Sequence, residues 1–200
     1  MDTYELVVPC HFGLEAVLKR EILDLGYEIS QVEDGRVTFY GDAEAVCRAN
    51  VFLRTAERIL IKAGSFKAVT FDELFENVYA LPWAELIPFG SQFPVSKAKA
   101  VKSTLHNEPS IQSITKKAIV KKLQTTYHRP EGVPIPENGA KFSIEIALHK
   151  DMATVLIDTT GDSLFKRGYR SEKGEAPLKE NMAASIILLT NWLANPRRAF

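Results

Sequence analysis

The sequence predicts an α+β protein with two successive folded units and a C-terminal tail, within a length of 200 residues. Three observations carry this prediction. Short apolar strands alternate with helically spaced apolar stretches through residues 1–64. A capping box at Thr70–Glu73 then opens a second set of elements. A strongly apolar helical stretch, Lys179–Ala194, follows both units.

The first unit has the order β-α-β-β-α-β. Asp34-Gly35 is a typical hairpin turn between two strands, and Asp42 can cap the second helix. This order is the split βαβ arrangement of ferredoxin-like domains, which we assign to residues 1–66. The predicted elements are the strand Tyr4–Val8, the helix Gly13–Leu25, the strands Glu28–Glu33 and Arg36–Tyr40, the helix Ala43–Leu53 and the strand Arg58–Phe66.

The second unit is predicted to be an α/β domain over residues 67–160, followed by a linker and helix over 161–200. Ser110 is the expected cap of its longest helix. Because the last helix is so apolar, we expect it to bury one side, either against a further domain or against the rest of its own protein. The predicted elements are a helix from Thr70 to Tyr79, the helix Trp83–Ile87, the strand Phe93–Lys102, the helix Ile111–Tyr127 and a hairpin of Phe142–His149 with Met152–Asp158.

The composition is that of an ordinary globular protein, with 46% hydrophobic and 25% charged residues. The sequence contains no apolar run long enough to cross a membrane and no signal-peptide pattern at its start, so we expect a cytoplasmic protein without a membrane partner. Cys10 and Cys47 are far apart and form no paired Cys/His spacing, so no metal site is predicted.

The zero net charge hides an uneven distribution along the chain. Residues 1–95 hold 8 basic and 15 acidic groups, a net of −7, and residues 131–200 hold 9 of each. Residues 96–130 hold 8 basic groups and one acidic group, a net of +7. A block this basic is a candidate anion-binding surface, and a solvated lysine-rich face is the alternative.

The basic block extends over a strand, a loop and a helix. Lys97 and Lys99 share one strand face, whereas Lys116, Lys117 and Lys121 share one sector of the helix. In the loop between them, hydrogen-bonding side chains accompany Lys102: Ser103, Thr104 and Asn107. Without an aromatic nucleic-acid motif, this pattern favours recognition of nucleic-acid shape and backbone over base readout. A membrane surface is a weaker alternative, because the block lacks the apolar face of an interfacial helix.

Several stretches resemble one family. They are Val95–Lys99 with Ser103–Leu105, Ser110–Ile119 and Phe142–Ile146, and in the tail Asp162–Arg170 and Ala176–Ala184. Together they are similar to the THUMP domain and following segment of bacterial 23S rRNA guanine-N2-methyltransferases. Such proteins are also labelled predicted adenine-specific DNA methylases.

This resemblance implies an RNA-binding front end of an enzyme that methylates RNA with S-adenosylmethionine. The family's Rossmann-like catalytic domain would follow the last helix, and its cofactor loop and target-base motif are absent from these 200 residues. The glycines present do not fit G-x-G-x-x-G either. We therefore expect an N-terminal fragment that has no catalytic residue and binds no cofactor itself.

The expected partner is structured RNA, most simply ribosomal RNA, with tRNA as the alternative. The predicted RNA-binding residues are Lys97, Lys99, Lys102, Lys116, Lys117, Lys121, Arg167 and Arg170. For the two arginines, salt bridges to Asp162 or Glu172 are equally open. Two other functions also remain open: a THUMP module for tRNA thiolation or deamination, and a regulatory ferredoxin-like module for a metabolite or a protein.

Overall fold

The structure is a computed structural model that describes residues 3–130, 132–168 and 177–190. It contains two compact units. The first consists of residues up to 61 together with the described residues from 159 onward, and the second consists of Lys62–Asp158.

The first unit contains a four-stranded antiparallel sheet in the order β2-β3-β1-β4. This confirms the predicted βαββαβ sequence, and the strand β4 continues from this unit into the second. The elements are β1 (Tyr4–Pro9), α1 (Glu15–Asp24), β2 (Ile29–Glu33), β3 (Arg36–Gly41), α2 (Ala43–Phe52) and β4 (Leu60–Lys67).

Local signals explain the elements of the first unit. Gly35 closes the β2–β3 turn at φ 74°, a left-handed conformation that glycine adopts without strain. Asp42 caps α2 as predicted, because its Oδ1 accepts the amide of Ala45 at 2.9 Å. The helix α1 buries Leu18 and Ile22 in the same core as Phe39 of the sheet, and each of the three is fully shielded from solvent.

The segment after residue 158 returns to the first unit. Thr159 donates its amide to the carbonyl of Ile59 at 3.1 Å, and Leu164 donates to Glu57 at 3.0 Å. The Leu164 side chain joins the core of the unit and is 8% exposed. Residues 159–168, which include the start of the predicted linker, therefore belong physically to the first unit.

Besides residues 62–67 of β4, the second unit contains two longer helices, one short helix and three strands, and its sheet has the order β4, β7 (Met152–Asp158), β6 (Ser143–His149) and β5 (Val95–Val101). β6 is parallel to β5 and antiparallel to β7. The last described element of the chain is α6 (Glu180–Leu189), which belongs to the first unit. The elements of the second unit are α3 (Phe71–Ala80), α4 (Trp83–Leu86), β5 (Val95–Val101), α5 (Glu108–Thr126), β6 (Ser143–His149) and β7 (Met152–Asp158).

Two predicted caps have different outcomes. The capping box at α3 is confirmed, with Thr70 and Glu73 each bonded to the other's backbone. The prediction that Ser110 caps α5 is wrong. The helix begins at Glu108 because Asn107 accepts the amide of Ser110 at 2.9 Å, and Pro109 occupies an early position where no amide is needed.

The helices cover one face of the second unit's sheet. Register places Ala98, Ile146 and Val155 side by side on one face, and all three are buried. α5 directs its own buried residues toward this core, including Ile111, Ala118 and Ile119. The alternate positions of the strands lie on the other face, where Leu156 and Asp158 are buried but Lys97, Lys99 and Met152 are exposed. We call the exposed part of this side, from Lys97 to Met152, the open face.

The sequence predicted neither a membrane-spanning helix nor a metal site, and the described residues contradict neither prediction. No helix among them is both long and apolar enough to span a bilayer. Within the same ranges, no group of three or more His, Cys, Asp or Glu side chains is arranged to hold a metal ion.

Candidate nucleic-acid interface

The predicted lysines lie on two different sides of the second unit. Lys97 and Lys99 lie on the open sheet face, where Lys99 is opposite Ala147 of β6. Lys117 and Lys121 are exposed on α5, which covers the opposite face. Folding therefore divides the predicted basic surface into a sheet group and a helix group.

Lys97 is neutralised locally. Its Nζ lies 3.1 Å from Oε2 of Glu145, the residue beside it on β6. The carboxylate is 15% exposed and the lysine 60% exposed, so the pair lies at the solvent boundary. Lys97 therefore adds less positive field to the open face than Lys99, which has no ion pair within the described part of the chain.

Lys116 is part of the protein's own packing. Its Nζ lies 2.6 Å from Glu137 Oε1 and donates to the carbonyl of Phe93 at 3.2 Å. The same ammonium sits 3.5 Å from the centre of the Phe93 ring, a cation–π contact. With these three partners, Lys116 is placed to hold the loop of residues 132–139.

Lys116 also belongs to a polar stripe that covers the edge of β5. Glu108 Oε1 accepts the amide of Ala100, and the Gln112 amide donates to the carbonyl of Val95 at 3.1 Å. Glu108, Gln112 and Lys116 are four residues apart, which places them on one side of α5. This stripe pairs backbone groups that an uncovered edge strand would leave free.

The loop after β5 is bound to the β6–β7 turn. Asp151 Oδ1 accepts the amide of Thr104 at 2.6 Å, and Ser103 Oγ accepts the amide of Asp151 at 3.1 Å. Asn107 spends its side-chain oxygen on the α5 cap. Of the three predicted polar side chains in this loop, Ser103 and Asn107 therefore support the loop itself.

Lys102 and Lys150 stand at this junction in a left-handed backbone conformation, with φ of 51° and 50°. Lysine gains nothing intrinsic from this conformation, which costs about 1 kcal/mol for a residue with a Cβ. The hydrogen bonds of Ser103 and Asp151 hold the two turns in place. Both lysine side chains are exposed.

Arg167 lies in the first unit and is bound to the end of α2. Its Nη1 donates to the carbonyl of Asn50 at 3.0 Å, and its Nη2 donates to that of Leu53 at 2.6 Å. These are carbonyls that a helix C-terminus leaves unpaired. The expected alternative, a salt bridge to Asp162, is instead made by Lys166 at 3.9 Å. Arg170 and Glu172 lie outside the described residues.

The first unit contains an acidic recess. Glu21, Asp24 and Arg54 line it together with the apolar side chains of Val51 and Phe52. Glu21 is 7% exposed, and its carboxylate accepts hydrogen bonds from Arg54 and Thr55. Because the arginine charge is already matched, this recess does not suit a phosphate.

α6 has its polar and apolar sides reversed. Asn181 and Ser185 are buried, whereas Ile186, Ile187 and Leu189 are 47%, 36% and 60% exposed. The described part of this helix therefore exposes an apolar patch. Leu193 and the rest of the predicted helix lie outside the described residues.

Comparison with known proteins agrees with this division into units. Residues 5–60 match the RlmL ferredoxin-like domain family, and residues 68–158 match the THUMP domain family. The fold thus defines a protein that joins a ferredoxin-like domain to a THUMP domain. The chain therefore contains the RlmL ferredoxin-like domain and the THUMP domain, which confirms the domains expected from the resemblance seen in the sequence.

Individual relatives carry methyltransferase names. "Putative RNA methyltransferase YpsC" of Bacillus subtilis (strain 168) is 48% identical over 200 residues, which are all of this chain and 51% of that protein. "Ribosomal RNA large subunit methyltransferase K/L" of Stutzerimonas stutzeri (strain A1501) is 34% identical over 193 residues, 96% of this chain and 26% of that protein.

A solved structure shows the same fold. The crystal structure of SMU.472, a putative methyltransferase complexed with SAH, matches 96% of this chain and 50% of its own, with 60% identity and a TM-score of 0.92. The chain thus spans about half the length of YpsC and of SMU.472, and about a quarter of the K/L protein.

Proposed function

We propose that this chain is the RNA-binding front end of an S-adenosylmethionine-dependent RNA methyltransferase. The observation that carries the proposal is a set of exposed lysines on the THUMP domain without acidic partners in the described ranges. The predicted residues that fit this description form two separate groups, Lys99 and Lys102 at the sheet and Lys117 and Lys121 on α5, and one of the two groups would contact the RNA. Unpaired surface cations of this kind release counterions from a phosphate backbone when they bind it.

Ribosomal RNA is the proposed substrate class, and the exocyclic amine of guanine is the proposed methyl acceptor. The name of the Stutzerimonas stutzeri relative supports ribosomal RNA. Transfer RNA remains the alternative, to be separated by competition. A cytoplasmic location belongs to the same proposal.

S-adenosylmethionine would supply the methyl group in the whole protein, a proposal supported by the SAH bound to SMU.472. The described residues of this chain do not fit such a site. Their glycines with positive φ lie in separate turns, such as Gly26, Gly35 and Gly90, and do not form one loop after a strand. This chain's share of the function is therefore to bind and orient RNA.

The test is a binding measurement on this chain with a labelled RNA stem-loop, by fluorescence anisotropy at increasing salt. If four to six phosphates are contacted, log K against log[salt] should have a slope of roughly −3 to −5. An unlabelled rRNA fragment, a tRNA and a DNA duplex of equal length serve as competitors. Absence of binding at low salt, or binding that ignores salt, would overturn the proposal.

A further inference from the structure

We propose that RNA lies on the open face of the THUMP sheet, at the end where β4, β5 and β6 terminate, and not along α5. This inference rests on the proposed function and adds the location of the binding surface. It also adds two residues that the basic block 96–130 did not contain, Lys67 and Lys150.

A row of mostly small side chains crosses the open face of the sheet. Ser65 Oγ on β4 lies 3.2 Å from Thr154 Oγ1 on β7. Register places Thr154 opposite Ala147, and Ala147 beside Lys99. These four residues therefore form one row across the four strands, and three of them are small. A floor of small side chains lets a flat ligand approach the sheet closely.

A second row of side chains lies next to the first, nearer the end of the sheet, and consists of Lys67, Met152, His149 and Val101. Strand side chains repeat every second residue, so Lys67 follows Ser65 on this face. Register places Met152 opposite His149, and His149 beside Val101. Neighbouring strands are about 4.8 Å apart, so a row across four strands spans about 14 Å. Lys67 and Val101 mark its two ends.

The side chains of this second row are exposed to solvent. Met152 is 45% exposed and Val101 is 38% exposed, which is unusual for large apolar side chains on a sheet. Lys67 and His149 are also exposed. Met152, His149 and Val101 thus form an exposed strip that is bordered by cations. Such a strip can contact the ribose edges of an RNA strand while the cations contact its phosphates.

The open face also carries a concentration of positive charge. Four exposed lysines surround the strip: Lys67, Lys99, Lys102 and Lys150. None of them has an acidic partner within the described ranges. Of the acids on β6 and its turn, Glu145 pairs with Lys97, and Asp151 directs its Oδ1 to the amide of Thr104 at 2.6 Å. A phosphate backbone is the polyanion that complements such a surface.

The helix group offers a weaker alternative surface. Lys116 is engaged by Glu137, and Lys122 lies 5.3 Å from the centre of the Tyr79 ring. Only Lys117 and Lys121 of the predicted helix lysines point into solvent without a described partner. The open face therefore holds the denser group of available cations.

The experiment compares two triple variants that remove the same charge from the full chain. The first is Lys67→Gln, Lys99→Gln and Lys150→Gln on the open face. The matched control is Lys117→Gln and Lys121→Gln on α5 with Lys141→Gln, an exposed residue just before β6 at the opposite end from Lys150. All six positions are exposed, so both variants should keep wild-type unfolding midpoints.

Stem-loop affinity and salt slope are measured for both variants. The open-face variant should bind about tenfold to a hundredfold more weakly, and its salt slope should fall by about 2 to 3, near one per lysine. The α5 control should stay within about threefold of wild type. A second variant, Met152→Glu, places an acid in the strip and should also weaken binding without unfolding the protein.

Three results would overturn the inference. If the open-face variant and Met152→Glu bind RNA like wild type, the RNA does not use this face. If the α5 control loses affinity instead, the RNA lies along the helix. If the wild-type chain binds an acidic protein or peptide but no RNA at any salt, both the location and the proposed function fail.

Discussion

Lys116 Nζ lies 2.6 Å from Glu137 Oε1, and this pair joins α5 to the loop that leads into β6. The lysine also donates to the carbonyl of Phe93 and covers its ring. A residue that the sequence placed on an RNA-binding surface is thus a structural contact of the THUMP domain. A structural contact and an RNA contact differ in whether the loss of Lys116 lowers the stability of the protein or its affinity for RNA.

Lys116→Met keeps the aliphatic stem and removes the charge. We expect a loss of about 1 kcal/mol in the free energy of unfolding, because the pair is partly exposed and the cation–π contact is modest. RNA affinity should stay close to wild type. Urea denaturation and stem-loop binding check the two parts, with Lys117→Met as the exposed control. Lower RNA affinity at unchanged stability would return Lys116 to the RNA-binding set.

Glu21 fixes α1 to the segment after α2. Its Oε2 accepts the Thr55 hydroxyl at 2.6 Å, and its Oε1 accepts Nε of Arg54 at 2.9 Å. Glu21→Gln places an amide donor against these donors in a buried position, which should cost about 2 to 4 kcal/mol. Glu44→Gln, at a carboxylate that is 75% exposed, should change the free energy of unfolding by less than about 0.5 kcal/mol. Equal effects of the two substitutions would contradict this account of Glu21.

Arg167 stabilises the C-terminus of α2 through the carbonyls of Asn50, Val51 and Leu53. Arg167→Met should lower the unfolding free energy by about 2 kcal/mol, since hydrogen bonds from a charged donor are lost. Arg167→Lys should recover only part of it, because an ammonium cannot span three carbonyls as a planar guanidinium does. Thermal unfolding measures both. A reduced RNA salt slope with unchanged stability would instead support the RNA role predicted from sequence.

Local signals in the sequence predicted the local structure well. Asp34-Gly35, the Asp42 cap and the Thr70–Glu73 box each specify a turn or helix start through neighbouring backbone groups, and each is confirmed. The α5 start was wrong because Asn107 and Ser110 are both good caps. Pro109 then decides between them by lying inside the first turn.

Long-range relationships could not be predicted in the same way. Lys116 has the charge and helix position of a phosphate contact, and only the fold brings Glu137 beside it. Lys67 and Lys150 lie outside the basic block, so a local charge count passes over them. The return of Leu164 to the first core depends on contacts more than 100 residues away, such as Thr159 with Asn50 at 3.0 Å.

Cys10 and Cys47 should react very differently with a thiol reagent. Burial, together with the nearby charges of Glu15 and Glu57, raises the pKa of Cys10 to about 12, so its thiol stays protonated at pH 8 to 10. Cys47 is exposed. Iodoacetamide at pH 8 should therefore label Cys47 alone in the folded protein and both cysteines in denaturant. Mass spectrometry reads the sites, and equal labelling of Cys10 in the folded state would contradict its burial.

The central claim is that RNA covers the open face of the THUMP sheet, and a lysine acetylation footprint tests it most directly. The chain is acetylated briefly with and without a saturating RNA stem-loop, and each lysine is quantified by mass spectrometry. We expect RNA to protect Lys67, Lys99, Lys102 and Lys150 from acetylation, while Lys117 and Lys121 on α5 are acetylated at unchanged rates. Protection of Lys117 and Lys121 with unchanged reactivity at Lys67 and Lys150 would contradict it.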